Sequence, residues 1–278
     1  MSKLRFAWIG SIGLLVGLLA ALGAQPTQAQ DPPPGTVPPA IFLPLVYTDE
    51  PPPPPPASYD PIPVDGRADN RPAAHHGDIN LALRSYTPTV GALSLIDLGG
   101  DTDPNAPQLD GIFSPMRAPT ITAVYQVNEW DWGCGPDGCR GPPLADYEAT
   151  LIEVMVAPYE PLYPPVREPP IYGGGYRAMV LYAEPTRLTL VYTRRDGADH
   201  GYVVHLEDIQ VDAGLLALYE QLNAEGRSRL PGLRNSERLG YASRNGAVKI
   251  AVRDTGQFMD PRSRKDWWMG YLMVNAQW

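Results

Sequence analysis

Proline and glycine recur so often along this chain of 278 residues that long helices have little room to form. The 33 prolines and 27 glycines restrict or loosen the backbone at short intervals, which favours short strands joined by turns. Hydrophobic residues still make up 44% of the chain, which is enough to build a core. We therefore predict a mostly β fold in which antiparallel sheets form a barrel or a sandwich, with one or two short helices.

Apolar runs rich in β-branched or aromatic residues, with turn residues at their ends, predict the strands. These runs are 92–98, 120–128, 147–157, 176–183, 187–194, 201–207 and 247–253. Asp196-Gly197, between two of them, predicts a hairpin. The main helix is predicted at 213–225, because Asp212 suits an N-cap and leucines then recur at helical spacing. Gly226 lies where a glycine typically ends a helix.

The N-terminus has the parts of a secretory signal peptide. A positive region is followed by an apolar run at 6–24, and small residues permit cleavage after Ala24 or Ala29. The run is also just long enough to span a bilayer, so an uncleaved membrane anchor is the alternative. We predict a signal peptide at 1–29 and a secreted or extracytoplasmic protein, which touches a membrane only through this segment if the segment stays uncleaved.

A proline-rich linker is predicted at 30–57, before a single β-rich domain at 58–278. Fourteen prolines lie between positions 31 and 63, six of them in one unbroken run. Such a sequence favours extended polyproline II, a semi-rigid spacer. The apolar insert at 41–46 is either a short docking strand or a hydrophobic part of the linker.

The net charge argues against one class of partner. The chain carries −9 formally, and signal cleavage would remove Lys3 and Arg5 but no acid, which takes the charge to −11. An acidic protein gains no electrostatic attraction to nucleic acid or to an anionic membrane surface. We therefore expect no nucleic-acid partner.

The two cysteines, Cys134 and Cys139, enclose the sequence Gly-Pro-Asp-Gly. In an exported protein such a pair is typically a disulfide that closes a small loop, and free thiols are the alternative. Two cysteines without a nearby histidine cannot supply the four ligands of a structural zinc site. Trp130 and Trp132, just before the loop, either pack in the core beside the disulfide or form an aromatic platform for a sugar or peptide.

The histidines offer the main candidates for a metal site. His75, His76 and Asp78 are nearly consecutive, and His200 and His205 follow later, so a zinc site would draw on these five residues. His205 lies within a strand pattern, where a histidine is more often structural than a ligand. We therefore predict no zinc site.

Asp101, Asp103 and Asn105 have the spacing that opens many calcium-binding loops. The rest of the loop departs from that pattern, because Ala106 replaces the glycine of the sharp turn and Ile112 replaces the final glutamate. A solvated acidic turn is therefore expected, and no metal or cofactor is predicted. The chain also has no G-x-S-x-G motif and no phosphate-binding glycine loop, so no catalytic residues are predicted.

Three segments near the C-terminus carry a resemblance to a known family: GYVVHLE at 201–207, LRNSERLG at 233–240, and GAVKIAVR at 246–253 with Asp260-Pro261 after it. They resemble, in this order, parts of the barrel of lysostaphin-like zinc endopeptidases, which cut peptidoglycan cross-bridges. The family patterns are G-x-x-V-x-I-x-H, V-x-x-G-Q-x-I-G, and G-x-H-L-H-F-E-V followed by D-P. The resemblance spans about 170–262 and implies a C-terminal barrel there.

The closing strand departs from that family at its functional positions. The family has H-x-H there, one histidine as a zinc ligand and one as a catalytic residue, whereas this chain has Ala247 and Lys249. Alanine cannot bind a metal, and a lysine ammonium repels one. The upstream family pattern H-x(3)-D is matched only loosely, by His75 to Asp78. The resemblance therefore implies a barrel that has lost its catalytic metal site.

The sequence as a whole favours a non-catalytic exported protein with a binding or scaffolding role at the cell envelope or in the secreted milieu. The partners left open are cell-wall glycan, a peptide, or an envelope protein. The alternative is a secreted zinc-dependent peptidoglycan endopeptidase with a rearranged metal site. A purely structural secreted domain is the third interpretation.

Overall fold

The computed structural model describes residues 57–68 and 71–270, which all belong to one compact unit spanning Pro53–Trp278. The predicted signal peptide at 1–29, the insert at 41–46 and nearly all of the linker at 30–57 lie outside the described residues.

The described strands are β1 (Asp60–Pro63), β2 (Tyr86–Pro88), β3 (Thr120–Asp131), β4 (Cys139–Pro143), β5 (Leu151–Met155), β6 (Pro161–Leu162), β7 (Ala178–Glu184), β8 (Arg187–Val191), β9 (Tyr202–Glu207), β10 (Ile209–Val211), β11 (Arg229–Leu233), β12 (Gly240–Ala242), β13 (Ala247–Asp254) and β14 (Gln257–Met259). The α-helices are α1 (Leu81–Arg84), α2 (Ala213–Ala224) and α3 (Arg264–Trp267). Two 3₁₀ turns lie at Ala73–His75 and Leu109–Ile112.

One antiparallel sheet of 11 strands dominates the fold, in the order β1-β11-β7-β8-β9-β13-β5-β3-β2, with β14 beside β13 and β4 beside β3. The strands β10, β12 and β6 form a second sheet. The mostly β, antiparallel fold is therefore confirmed. The large sheet runs from one edge strand to another, so its described strands do not close into a barrel, and the sandwich alternative fits.

The two strands at the ends of the main strand order, β1 and β2, both contain proline. β1 contains Pro61 and Pro63, and β2 ends at Pro88. Proline has no N–H to donate to a further strand, so it is suited to an edge. The predicted C-terminal barrel at 170–262 is thus corrected, because most of its strands belong to this open sheet while β10 and β12 belong to the second sheet.

All but one of the predicted strands are confirmed to within a few residues, and β8 pairs with β9 across the predicted hairpin at Asp196-Gly197. The prediction of a strand at 92–98 is wrong. There the buried Arg262 donates from Nη1 to the carbonyl of Ala92 at 3.0 Å, and Ile96 forms only an isolated bridge to Ser263. The segment is therefore stabilised by the Arg262 guanidinium and by a short loop, and not by pairing with a neighbouring strand.

Helix α2 is confirmed at the predicted position. The Asp212 side chain accepts a hydrogen bond from the Gly214 N–H at 2.9 Å, as an N-cap should, and also from the Ala57 N–H at 3.2 Å. Gly226 follows the helix with a φ of 92°, the left-handed conformation that favours glycine. The helix packs against β7 and β11 through its buried residues, which are Leu215, Tyr219 and Leu222.

Candidate functional site

Several of the candidate residues meet at one cleft of about 390 Å³, which we call the Trp132 cleft. Its walls come from three parts of the chain: residues 65–67 and 71–78 after β1, the end of β3, and the loop at 195–200 between β8 and β9. The sequence-predicted candidates that line it are His76, Asp78, Trp132 and His200. The fold thus brings together residues that lie more than a hundred positions apart in the sequence.

The two tryptophans have different roles at this cleft. Trp130 is partly buried and packs tightly over Gly77, where an added Cβ would come within 2.5 Å of the Trp130 ring. Trp132 is 39% exposed, and its ring lies edge-on to His76 at 4.9 Å. The guanidinium of Arg71 stacks over the Trp132 ring at 4.5 Å from its centre. Trp130 therefore packs, while Trp132 presents an aromatic surface to the cleft.

The predicted disulfide between Cys134 and Cys139 is present and closes the loop beside these tryptophans. The carbonyl of Asp137, within the loop, accepts a hydrogen bond from Trp130 Nε1 at 3.2 Å. Arg71 donates from Nη2 to the carbonyl of Pro136 at 3.0 Å. The disulfide loop therefore holds the Arg71 side of the cleft in place.

Asp78, at the floor of the cleft, is held by two arginines. Its Oδ1 accepts a hydrogen bond from Nη2 of Arg84 and lies 3.0 Å from Nη1 of Arg253. Burial raises the pKa of this carboxyl, but the Arg253 and Arg84 charges outweigh burial, so its pKa lies below the ordinary value. A metal ion at Asp78 would be repelled by both guanidiniums.

His205 lies on β9 and is almost fully buried, away from the cleft lining. Thr189 Oγ1 donates its one hydrogen to the carbonyl of Ile79 at 2.7 Å, so the 3.0 Å contact between Oγ1 and His205 Nδ1 must be donated by the imidazole. Burial, assisted by the Arg253 charge, lowers the pKa of His205 to about 3. His205 is therefore a neutral structural residue with its proton on Nδ1.

The remaining zinc candidates, His75 and His200, are each in contact with a neighbouring aspartate. His75 is exposed and contacts Asp137 at 3.4 Å, outside the cleft lining. His200, on the rim, contacts the Asp199 carboxylate through Nδ1 at 2.9 Å, and this hydrogen bond lowers the pKa of Asp199. In the part of the chain that the structure describes, no group of three or more His, Cys, Asp or Glu side chains is placed to hold a metal ion.

The calcium candidates form an exposed turn in which the Asp103 carboxylate is already engaged. Its Oδ1 accepts from the Asn105 N–H at 2.8 Å, and its Oδ2 accepts from the Tyr202 hydroxyl at 2.5 Å. Asp101 contributes its carbonyl to the Lys265 ammonium at 2.8 Å. The Asn105 carbonyl accepts from Arg167. These contacts stabilise the turn itself.

At a position where the resembling family has a histidine, this chain has Lys249, whose side-chain ammonium is paired with carboxylates. Lys249 on β13 donates to Asp208 and lies 3.3 Å from Glu153. Burial lowers the pKa of Lys249, but the hydrogen bond to Asp208 outweighs burial and the pKa rises. Ala247, two residues earlier, pairs with Met155 on β5.

No sequence pattern pointed to the arginines of the Trp132 cleft. Arg67, Arg71 and Arg195 line it, yet none of them belongs to a sequence motif. They meet because β8 pairs with β9 and because Arg67 and Arg71 lie between β1 and the 3₁₀ turn at Ala73–His75.

Among the described residues, no helix has both the length and the apolar character to cross a membrane. No family model, no curated protein and no solved structure matches this chain.

Proposed function

We propose that this chain is an exported, non-catalytic binding protein of the cell envelope or secreted milieu, and that the Trp132 cleft is its ligand site. We further propose that its β sheet is a degenerate relative of the lysostaphin-like peptidases. The ligand classes in this proposal are cell-wall glycan and peptide.

The observation that carries the proposal is the state of the candidate catalytic groups. Asp78 is neutralised by two arginines, His205 is buried and neutral, and Lys249 is bound by two carboxylates. A zinc hydrolase needs carboxylate or imidazole groups that converge on an open position. These side chains instead stabilise the fold, while Trp132 and its neighbouring arginines remain accessible for binding.

Two observations support the parts of the proposal that concern export and ancestry. A disulfide forms and persists in oxidising compartments, which agrees with the signal-like N-terminus. Two of the three segments that resemble the lysostaphin-like family, 201–207 and 246–253, lie side by side as β9 and β13.

One observation favours the alternative, a secreted zinc-dependent peptidoglycan endopeptidase. His76, Asp78 and His200 line the same cleft, and they are among the residues that such an enzyme would use. His76 accepts a hydrogen bond from the Asp78 N–H through Nδ1 at 3.2 Å, so its Nε2 carries the proton when the ring is neutral.

We expect protein purified without chelator to contain well under one zinc per chain and to leave cell walls uncut when zinc is supplied. In the same preparation, isolated cell walls should retain the protein, and Trp132→Ala should reduce that retention. The matched control is Tyr172→Ala, which removes another exposed aromatic ring that lies outside the cleft lining.

Metal analysis, a dye-release assay on cell walls and the pull-down together test the proposal. Stoichiometric zinc that is lost in His76→Ala but kept in His75→Ala, together with wall cleavage, would establish the hydrolase. Absence of retention on the walls would contradict the binding role.

A further inference from the structure

The carboxylates that line the Trp132 cleft already have cationic partners. They are Asp65, Asp78, Asp196 and Asp199. Asp65 pairs with Arg194 at 2.6 Å, and Asp196 pairs with Arg227 at 2.8 Å. Asp78 and Asp199 are paired as described above. Of these partners only His200 lines the cleft. The negative charge of the lining carboxylates is therefore largely neutralised by arginines that lie outside the lining.

Unlike these carboxylates, two of the arginines that line the cleft have no salt-bridge partner among the described residues. Within residues 57–68 and 71–270, neither Arg67 nor Arg195 forms a salt bridge, and both are exposed. Arg195 acts on Asp199 only through longer-range electrostatics. Arg71 is fixed over the Trp132 ring by the disulfide loop. Arg71 also lies 3.6 Å from the Asp137 carboxylate, so Arg67 and Arg195 are the two guanidiniums of the lining without a described salt bridge, and they share the cleft with the partly exposed Trp132 indole.

We infer that the Trp132 cleft binds a sugar that carries a carboxylate, with the sugar ring against Trp132 and the carboxylate toward Arg67 and Arg195. This inference rests on the proposed binding function and names the chemistry of its ligand. Guanidinium groups bind carboxylates through paired, charge-assisted hydrogen bonds. An indole offers a flat apolar surface to one face of a sugar ring, and its neighbouring polar groups fix the orientation of the sugar.

The test is calorimetric titration of the full chain, disulfide intact, with N-acetylmuramic acid and with N-acetylglucosamine. The two sugars share the ring and the acetamido group, and only the first has a carboxylate. We expect N-acetylmuramic acid to bind at least about tenfold more tightly, as the loss of one charge-assisted hydrogen bond implies, with affinity that falls as salt is added.

Variants assign the binding to the cleft. Arg67→Glu combined with Arg195→Glu should weaken N-acetylmuramic acid binding at least about tenfold and leave N-acetylglucosamine binding unchanged. Arg244→Glu, at an exposed arginine outside the cleft lining, is the matched control and should change neither. Trp132→Ala should weaken both sugars. Unchanged melting temperatures would show that the variants fold.

Equal affinity for the two sugars would overturn the inference, as would an unaffected charge-reversal variant. Tighter binding of N-acetyl-D-alanyl-D-alanine than of either sugar, lost in the same variant, would assign the cleft to a peptide carboxylate and also overturn it. Retention on cell walls without a preference for the carboxylate would leave the binding function intact while rejecting this ligand. Specific binding of N-acetylmuramic acid without wall retention would support this ligand and contradict the proposed role at the cell wall.

Discussion

Replacing Asp78 by alanine should lower the free energy of unfolding by about 3–5 kcal/mol, the range expected when one partner of a buried ion pair is removed. The carboxylate lies between Arg84 and Arg253, whose side chains are only 8% and 2% exposed. Burial, together with the nearby Arg84 charge, already lowers the pKa of Arg253 to about 10, although Asp78 opposes that shift. Without Asp78, two neighbouring guanidiniums stay buried with no carboxylate between them.

The remaining contacts of the arginines cannot replace that charge. Arg84 donates to the carbonyls of Gly77 and Asn128, at 2.9 and 3.0 Å, and both guanidiniums lie over the Phe258 ring. These groups orient the two cations but do not neutralise them. For a domain of this size, the loss corresponds to a fall in melting temperature of roughly 10 °C.

Thermal and urea denaturation would measure the effect. The matched control is Asp97→Ala, which removes an aspartate from an exposed salt bridge with Arg264 and should cost less than about 1 kcal/mol. Asp78→Asn should fall between the two, since it keeps an acceptor and loses the charge. A loss of less than 1 kcal/mol in Asp78→Ala would show that the two arginines find other counter-charges.

Two buried groups should contribute to the pH dependence of this protein's stability in opposite directions. The pKa of His205 falls to about 3, mainly through burial, and burial raises the pKa of Glu207 to about 7. The unfolded chain takes up a proton on His205 below about pH 6.5 while the folded chain does not, so this histidine destabilises the fold as pH falls. Glu207 is protonated in the folded chain first, so it stabilises the fold as pH falls.

Between pH 7 and pH 4.5 each group should change the free energy of unfolding by about 2.5 kcal/mol, in opposite directions. On acidification from pH 7 to pH 4.5, the free energy of unfolding of His205→Gln should therefore rise by about 2.5 kcal/mol relative to that of the wild type. The free energy of unfolding of Glu207→Gln should fall by about 2.5 kcal/mol relative to that of the wild type. The comparison removes contributions that both proteins share, such as that of Asp78.

Urea denaturation across this pH range would test the pair. The matched control for the histidine is His75→Gln, which makes the same replacement at a side chain that is 60% exposed. Parallel pH profiles for the wild type and His205→Gln would show that His205 titrates in the folded protein near its ordinary pKa.

The elements that could be predicted from the sequence are those set by local patterns. β9 and β13 follow from runs of β-branched residues, and α2 follows from Asp212 and Gly226, which cap it as expected. The segment at 92–98 was predicted wrongly because its apolar pattern is satisfied by a loop around the buried Arg262, a contact across 170 positions of sequence.

The candidate site could be predicted only in part. Trp132 and His76 were identified by residue type, and both line the cleft. Arg67 and Arg195 were missed, since an exposed loop arginine looks the same in sequence whether or not it faces a cleft. The neutralisation of Asp78 was also hidden, because Arg253 lies 175 positions away.

The attachment of β1 has a mechanical consequence. Force reaching the domain through Ala57 would act first on its hydrogen bond to the Asp212 carboxylate and then on an edge strand. Two of the four residues of β1 are prolines and donate no backbone hydrogen bonds, so the buried Ile62 and side-chain contacts, such as the hydrogen bond from the Tyr176 hydroxyl to Asp60 at 2.7 Å, supply much of the resistance to extension there. Because Asp212 also caps α2, extension of the chain at Ala57 would loosen the start of that helix before the central strands of the sheet separate.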